Sequence, residues 1–135
     1  MPEISVEVKQ VGQTSTSEGI VRQHKVLIDR PEAKGGLDKG AMGGELLLLA
    51  LGGCFMSNLI AAAMARNITL KDLRTVARGE LSSAPPRFES LVLEVHGQCS
   101  DEDAMQKIIE ISERGCIVHN TLKPGVKLEV KRMKG

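Results

Sequence analysis

The protein has almost no aromatic side chains and almost no net charge. Its 135 residues include no Trp, no Tyr and two Phe, and 18 Lys and Arg against 17 Asp and Glu leave a net charge of +1. So few rings cannot stack a run of exposed bases, and so small a charge does not attract a polyanion. The sequence therefore argues against nucleic-acid binding, and any apolar pocket must be aliphatic.

The first residues also lack the pattern of an export signal. Met1 to Val6 contain neither the basic stretch nor the apolar run of a secretory signal, so we expect a cytoplasmic protein. In that reducing compartment the three cysteines, Cys54, Cys99 and Cys116, are more often buried, catalytic or metal-bound than joined in a disulfide framework. The chemistry is accordingly sought among them.

Apolar and polar residues alternate in several short segments, which predicts strands separated by turns. A hairpin through residues 12–19 joins the first two strands, a glycine-rich loop follows over 30–44, and residues 84–87 form the next turn. A second helix is expected to begin after a cap at Ser100 or Asp101 and to end at Gly115. The predicted strands are 3–11, 21–28, 74–82, 88–98 and 126–131.

The stretch from Glu45 to Arg66 is rich in Ala, Leu and Met and contains no proline, which predicts a long helix. Its apolar residues lie all round, so we expect the helix to be buried. Its length and hydropathy would equally permit a membrane span. Three features favour a core helix and no membrane association. They are the polar residues Ser57 and Asn58 at mid-length, the Gly52-Gly53 pair, and the amphipathic strands on both sides, which need an apolar element to cover.

The order strand, strand, helix, strand, strand, helix, strand is typical of an α+β protein. We expect a single domain over residues 1–135, with antiparallel sheets wrapped around the long buried central helix. A helix that is apolar all round exceeds what one small sheet can cover. The sequence therefore also predicts a homodimer in which two subunits bury this helix together.

Two cysteines stand at positions suited to redox chemistry. Cys54 follows Gly52 and Gly53 within the predicted helix, where small neighbours leave room at the sulfur, and Cys116 follows the expected helix end at Gly115. A thiolate that attacks a peroxide becomes a sulfenic acid, and a second thiol resolves it as a disulfide. This cycle needs no metal, but it needs a cation or hydrogen-bond donors beside the attacking thiol. The alternative for Cys54 is a small apolar residue in the core.

Both cysteine segments resemble those of a known family. Residues 40–55, GAMGGELLLLALGGCF, resemble the helix that carries the first cysteine in the OsmC/Ohr family of osmotically induced and organic hydroperoxide resistance proteins. Residues 116–122, CIVHNTL, resemble the family's second-cysteine segment, and the two occur in the family's order. The resemblance covers most of the chain and fits the OsmC-like branch.

The resemblance implies an intertwined, strand-swapped α+β homodimer with active sites at the subunit interface. It also implies thiol-dependent reduction of organic or inorganic hydroperoxides, with Cys54 as the peroxidatic and Cys116 as the resolving residue. No bound cofactor is implied. An external dithiol, such as a thioredoxin-like or lipoyl protein, would return the disulfide to two thiols.

In the family an arginine stabilises the thiolate and a glutamate holds that arginine. Arg30 best matches the arginine, and Arg22 is a second candidate; either could instead be a solvated surface charge. Gly44 stands at the glutamate position, and Glu45 follows it. Glu45 is the nearest acidic candidate, although nine residues at roughly 100° each place it opposite Cys54 on a straight helix.

Three further residues admit other interpretations. Asn58 stands one turn after the first cysteine, where its amide would donate to the thiolate or, as we favour, to the backbone. His119 could complete a zinc site with the two cysteines, but three ligands without a paired spacing motif are weak support, and no metal is expected. Cys99 is expected near the surface without a catalytic role. The alternative function, motivated by Gly44, is a non-catalytic small-ligand or partner-binding protein.

Overall fold

The structure, a computed structural model, describes residues 2–134. The chain forms two compact units, Met1–Leu47 and Leu48–Gly135. The strands are β1 Glu7–Gln10, β2 Ser17–Val21, β3 His24–Ile28, β4 Lys71–Ser83, β5 Pro86–Gln98 and β6 Lys127–Met133. The helices are α1 Gly43–Ala65, α2 Glu102–Gly115 and α3 Ile117–Leu122, with a 3-10 turn at Glu32–Lys34.

The first unit contains an antiparallel sheet in the order β1-β2-β3. The sequence predicted two strands here, and this was wrong: residues 17–21 form a strand of their own. The second hairpin turns at Arg22 and Gln23, and Arg22 adopts a φ of 54°. The two turn residues of such a hairpin commonly adopt positive φ, and Gly or Asn at these positions is the usual sequence signal for the turn. Without that signal, the turn was invisible in the sequence.

A buried aspartate organises the glycine-rich segment that follows β3. Asp29 is 4% exposed and accepts hydrogen bonds from the hydroxyls of Ser15 and Thr16, both at 2.8 Å. Backbone N–H groups of Arg30 and Lys39 donate to the same carboxylate. Burial raises the pKa of Asp29, but these hydrogen bonds together lower it well below its ordinary value. The predicted loop is therefore held by one carboxylate.

The second unit is built around the central strand β5, whose alternate residues Leu91, Leu93 and Val95 are buried. They share one apolar core with residues of α1 and α2: Leu51, Phe55, Leu59, Met105, Ile108 and Ile109. β4 pairs with β5 antiparallel, as predicted, but β6 pairs with β5 parallel. α2 and α3 form the crossover that returns the chain in the same direction, so the second sheet is mixed rather than purely antiparallel.

Arg132 on β6 ties three elements together. Its side chain is 10% exposed, and its guanidinium donates to the carbonyls of Val95 at 3.3 Å and Gly97 at 2.6 Å, and to that of Met133. It also contacts the Glu102 carboxylate in the first turn of α2 at 3.3 Å. The end of the parallel pair is thereby joined to the start of α2.

Helix α1 is buried along one stripe only. Leu51, Phe55 and Leu59 are 0% exposed, whereas Leu49 is 64% and Met64 is 73% exposed. The prediction of a helix buried all round is therefore wrong for a single chain, because one mixed sheet and α2 cover one side. By length and composition α1 would also pass as a membrane span, a test that core helices of soluble proteins pass as well. Its opposite face is apolar and exposed.

Candidate functional site

Cys116 is the single residue between α2 and α3, and it is fully buried at 0% exposure. Its Sγ acts as the N-cap of α3 and accepts a hydrogen bond from the His119 backbone N–H at 3.4 Å. Burial raises the pKa of the Cys116 thiol, the neighbouring Cys54 raises it further, and the N–H groups of His119 and Val118 oppose the rise. These surroundings thus favour the thiol over the thiolate at Cys116.

Cys54 lies midway along α1 and is partly buried, with its side chain packed against the same core. It is close enough to Cys116 to raise the pKa of that thiol, and both side chains belong to one core cluster. The structure thus brings together the two cysteines that were proposed as a redox pair. Two neighbouring thiols can be oxidised to a disulfide after a modest movement of their side chains. Their catalytic roles remain predictions.

The glycines before Cys54 have different surroundings. A Cβ at Gly52 would lie 3.1 Å from Thr75 Oγ1, and the Thr75 hydroxyl donates to the Gly52 carbonyl at 3.3 Å. A Cβ at Gly53 would meet nothing within 4 Å. Gly52 therefore permits close packing of α1 on β4, and Gly53 borders open space.

Asn58 connects the two cysteine segments. Its Nδ2 donates to the carbonyl of Cys54 at 3.0 Å, which is the backbone contact that the sequence favoured. A Cβ added at Gly115 would lie 3.3 Å from Asn58 Oδ1. The small residue before Cys116 thereby allows the end of α2 to approach α1 beside the cysteines.

The other two predicted site residues belong to the first unit. Arg30 is exposed and lines a cleft of about 360 Å³ together with Ser15, Ser17, Asp29 and Lys34. Glu45 is exposed and accepts a hydrogen bond from the Met42 backbone N–H at 2.8 Å. That contact satisfies a free donor at the start of α1, so the observed role of Glu45 is local. Arg22, the second arginine candidate, lies in a hairpin turn and not on a strand.

The remaining sequence candidates have structural surroundings. Across residues 2–134 no group of three His, Cys, Asp or Glu side chains has the arrangement of a metal site. His119 is 3% exposed and lies on α3, a short helix that the sequence did not predict. Cysteine is not a usual N-cap, so no signal marked the start of α3. The Cys99 thiol donates to the Asp101 carbonyl at 3.3 Å, beside the α2 N-cap formed by Asp101 itself.

Comparison with known proteins confirms the predicted fold. An OsmC-like protein from Mycoplasma pneumoniae is 21% identical, covers 98% of this chain and 97% of its own, and has a TM-score of 0.85. A hypothetical protein from Aquifex aeolicus is 18% identical over 100% and 98% of the two chains, with a TM-score of 0.83. An organic hydroperoxide resistance protein from Elizabethkingia anophelis is 15% identical over 100% and 98%, with a TM-score of 0.73.

Identities this low carry the fold alone, and no curated protein matches the chain at a significant level. The family itself is established by sequence. The model of the family described as OsmC-like protein matches residues 36–131, which include both cysteines. The protein is a member of the OsmC-like family.

Proposed function

We propose that this protein is a thiol-dependent peroxidase that reduces organic or inorganic hydroperoxides through Cys54 and Cys116. The observation that carries the proposal is the neighbouring position of these two side chains in one core, with Cys54 partly accessible and Cys116 fully buried. Family membership supports it, since the OsmC-like fold is shared with proteins named for organic hydroperoxide resistance.

The proposed cycle has three steps. The Cys54 thiolate attacks the peroxide, one oxygen is transferred to sulfur as a sulfenic acid, and the alcohol leaves with a proton. Cys116 then attacks the Cys54 sulfur, the S–S bond forms, the S–O bond breaks, and water leaves. An external dithiol reduces the disulfide and is itself oxidised. No bound cofactor takes part.

The first step requires a cation near the attacking sulfur, because the thiolate and not the thiol is the nucleophile. We propose Arg30 for this role. Within residues 2–134 no carboxylate forms an ion pair with its guanidinium, so its charge is available. Arg30→Met should slow Cys54 oxidation, whereas Arg22→Met, at the second arginine candidate, should not. Slowing in Arg22→Met alone would move the role to Arg22. Equal rates in both variants would remove Arg30 from the mechanism.

We also propose that the working form is a homodimer that covers the exposed apolar face of α1, including Leu49, Ile60 and Met64. Leaving so many large apolar side chains in water is unfavourable for a soluble monomer. Sedimentation equilibrium should give twice the chain mass. A monomer at micromolar concentration would refute the dimer.

The peroxidase proposal is tested with tert-butyl hydroperoxide and dithiothreitol. Wild-type protein and Cys99→Ser should consume peroxide at equal rates, and Cys54→Ser should consume none. Cys116→Ser should complete the first oxidation but form no intramolecular disulfide. Full turnover by Cys54→Ser would end the proposal. If wild-type protein consumes no peroxide, a non-catalytic small-ligand or partner-binding function becomes the better explanation. The reason for this alternative is Gly44, which stands at the family's glutamate position.

A further inference from the structure

His119 is buried beside Cys116, and the proposed function gives it no role. Its residue exposure is 3%, although imidazole is polar and costs free energy to bury without partners. It lies on α3, three residues after Cys116 and on the first turn of that six-residue helix. A buried polar ring at this position needs a physical account.

The ring of His119 lies at the junction between α3 and the last turn of α2. Asn120 Nδ2 donates to the Arg114 carbonyl at 2.9 Å, and this bond fixes which way the Asn120 amide points. Asn120 Oδ1 therefore faces His119 Nδ1, at 3.4 Å. On the other side of the ring, Nε2 lies 3.6 Å from Glu113 Oε2. Both ring nitrogens thus face acceptors, one on each side of the junction.

The backbone of His119 holds the sulfur of Cys116. Its N–H donates to Cys116 Sγ at 3.4 Å, and the next N–H, from Asn120, donates to the Cys116 carbonyl at 3.0 Å. Every amino acid except proline at position 119 would supply that N–H. Only a side chain that anchors α3 to α2 keeps it aimed at the sulfur.

We propose that His119 is a positioning residue for the resolving step, because its ring fixes α3 so that Cys116 Sγ stays within reach of Cys54. The inference rests on the proposed two-cysteine cycle. The step that it serves is attack of Cys116 on the Cys54 sulfenic acid, which forms the disulfide and releases water. The ring does not touch the reacting sulfurs and acts through the backbone that it holds.

Replacement of His119 should affect the second step of the cycle and not the first. We expect His119→Leu, which removes both ring contacts, to slow disulfide formation roughly 10- to 100-fold, the cost of misplacing a reacting group by about 1 Å. Oxidation of Cys54 should keep its wild-type rate, so the sulfenic acid should accumulate and be trapped by dimedone. His119→Gln, whose amide nitrogen takes the place of Nε2, retains a donor towards Glu113 and should recover most of the loss.

The measurement that separates this inference from the peroxidase proposal uses no peroxide. In glutathione redox buffers, the equilibrium between the reduced pair and the Cys54–Cys116 disulfide gives the effective concentration of one thiol at the other. His119→Leu should lower it by the same roughly 10- to 100-fold. Thr121→Ala, an exposed substitution on α3, should leave it unchanged.

The outcomes are distinct. An unchanged effective concentration in His119→Leu overturns the inference, as does equal slowing of both kinetic steps. If the leucine variant does not fold, Asn120→Ser removes one arm of the contact, and an unchanged value there also overturns it. A wild-type protein that forms the disulfide in these buffers but consumes no peroxide refutes the peroxidase alone, and the fall in His119→Leu then still supports positioning. If the wild-type protein forms no disulfide, both ideas fail.

Discussion

Oxidation of the cysteine pair should stabilise the protein by an amount that the chain itself sets. The segment between Cys54 and Cys116 is about 60 residues long. Closing a loop of that length reduces the entropy of the unfolded chain and so raises its free energy by about 4 kcal/mol. Against this stands about 1 kcal/mol for turning the two cysteine side chains away from their preferred rotamers as the sulfurs close to bonding distance. We therefore expect a net gain of about 3 kcal/mol.

Urea unfolding of reduced and diamide-oxidised protein measures this gain. With a dependence on urea of about 1.5 kcal/mol per molar, the midpoint should rise by about 2 M on oxidation. Both forms must be compared at one protein concentration, since a dimer gains stability with concentration. The same treatment of Cys54→Ser should produce no shift, and Cys99→Ser should shift as the wild type does.

Two results would refute the reasoning. If two thiols disappear on oxidation and the midpoint does not rise, closing the bridge must break native packing that the reduced contact leaves intact. If no intramolecular disulfide forms at all, the two sulfurs are not within reach in solution. Neither result depends on whether the protein turns over peroxide, so this prediction tests the contact by itself.

Three further predictions concern the buried polar groups. Burial raises the pKa of Cys116, so in Cys54→Ser the thiolate absorbance of Cys116 should appear above the ordinary thiol pKa of about 8.5. The stabilisation from the neutral thiol is fully present below that ordinary pKa and is lost as pH rises through the folded pKa, so the free energy of unfolding in urea should fall over that range. Titration of Cys116 at the ordinary value would contradict this. Arg132→Met should lower the free energy of unfolding by about 2 kcal/mol. Lys134 is 69% exposed in its side chain, so Lys134→Met should change the free energy of unfolding by less than about 0.5 kcal/mol. Equal losses would refute a stabilising role for the Arg132 contacts. Hydrogen bonding lowers the pKa of Asp29, so the stabilisation from its carboxylate is present above the unfolded pKa of about 3.9 and is lost as pH falls through the folded pKa. Asp29→Asn should remove this pH dependence of the free energy of unfolding and expose residues 30–39 to proteolysis. Unchanged protease resistance would contradict the role of Asp29 in holding this segment.

The sequence predicted those parts of the fold that local patterns specify. The long helix began and ended within two residues of its prediction, since an uninterrupted run rich in Ala and Leu has strong helical propensity. β4 and β5 were recognised from alternation and a proline turn. Capping chemistry limited the start of α2 to Ser100 or Asp101, and the structure has Asp101 as the cap. The OsmC-like family followed from the two cysteine segments.

The parts that the sequence did not predict depend on contacts between distant residues. The parallel pairing of β6 is decided by the path of α2 and α3, and strand alternation is the same in either direction. The start of α3 depends on a thiol acting as its cap, which no helix-start pattern contains. The turn at Arg22 lacks the glycine that would have marked it. The partners of His119 come from three different positions around the α2–α3 junction, so no spacing along the chain identified them.

Burial also explains why the two cysteines are suited to different steps of the proposed cycle. A fully buried thiol whose pKa is raised is a poor first nucleophile towards a peroxide in solution, because little of it is thiolate and the peroxide must reach it. The same burial is no obstacle to an intramolecular reaction, since a sulfur held beside Cys54 attacks at a high effective concentration. Cys54 is the more accessible of the pair, with open space at the neighbouring Gly53. In the proposed cycle, the asymmetry in burial therefore favours Cys54 for the reaction with peroxide and Cys116 for the intramolecular step, for which its fixed position would matter more than its acidity.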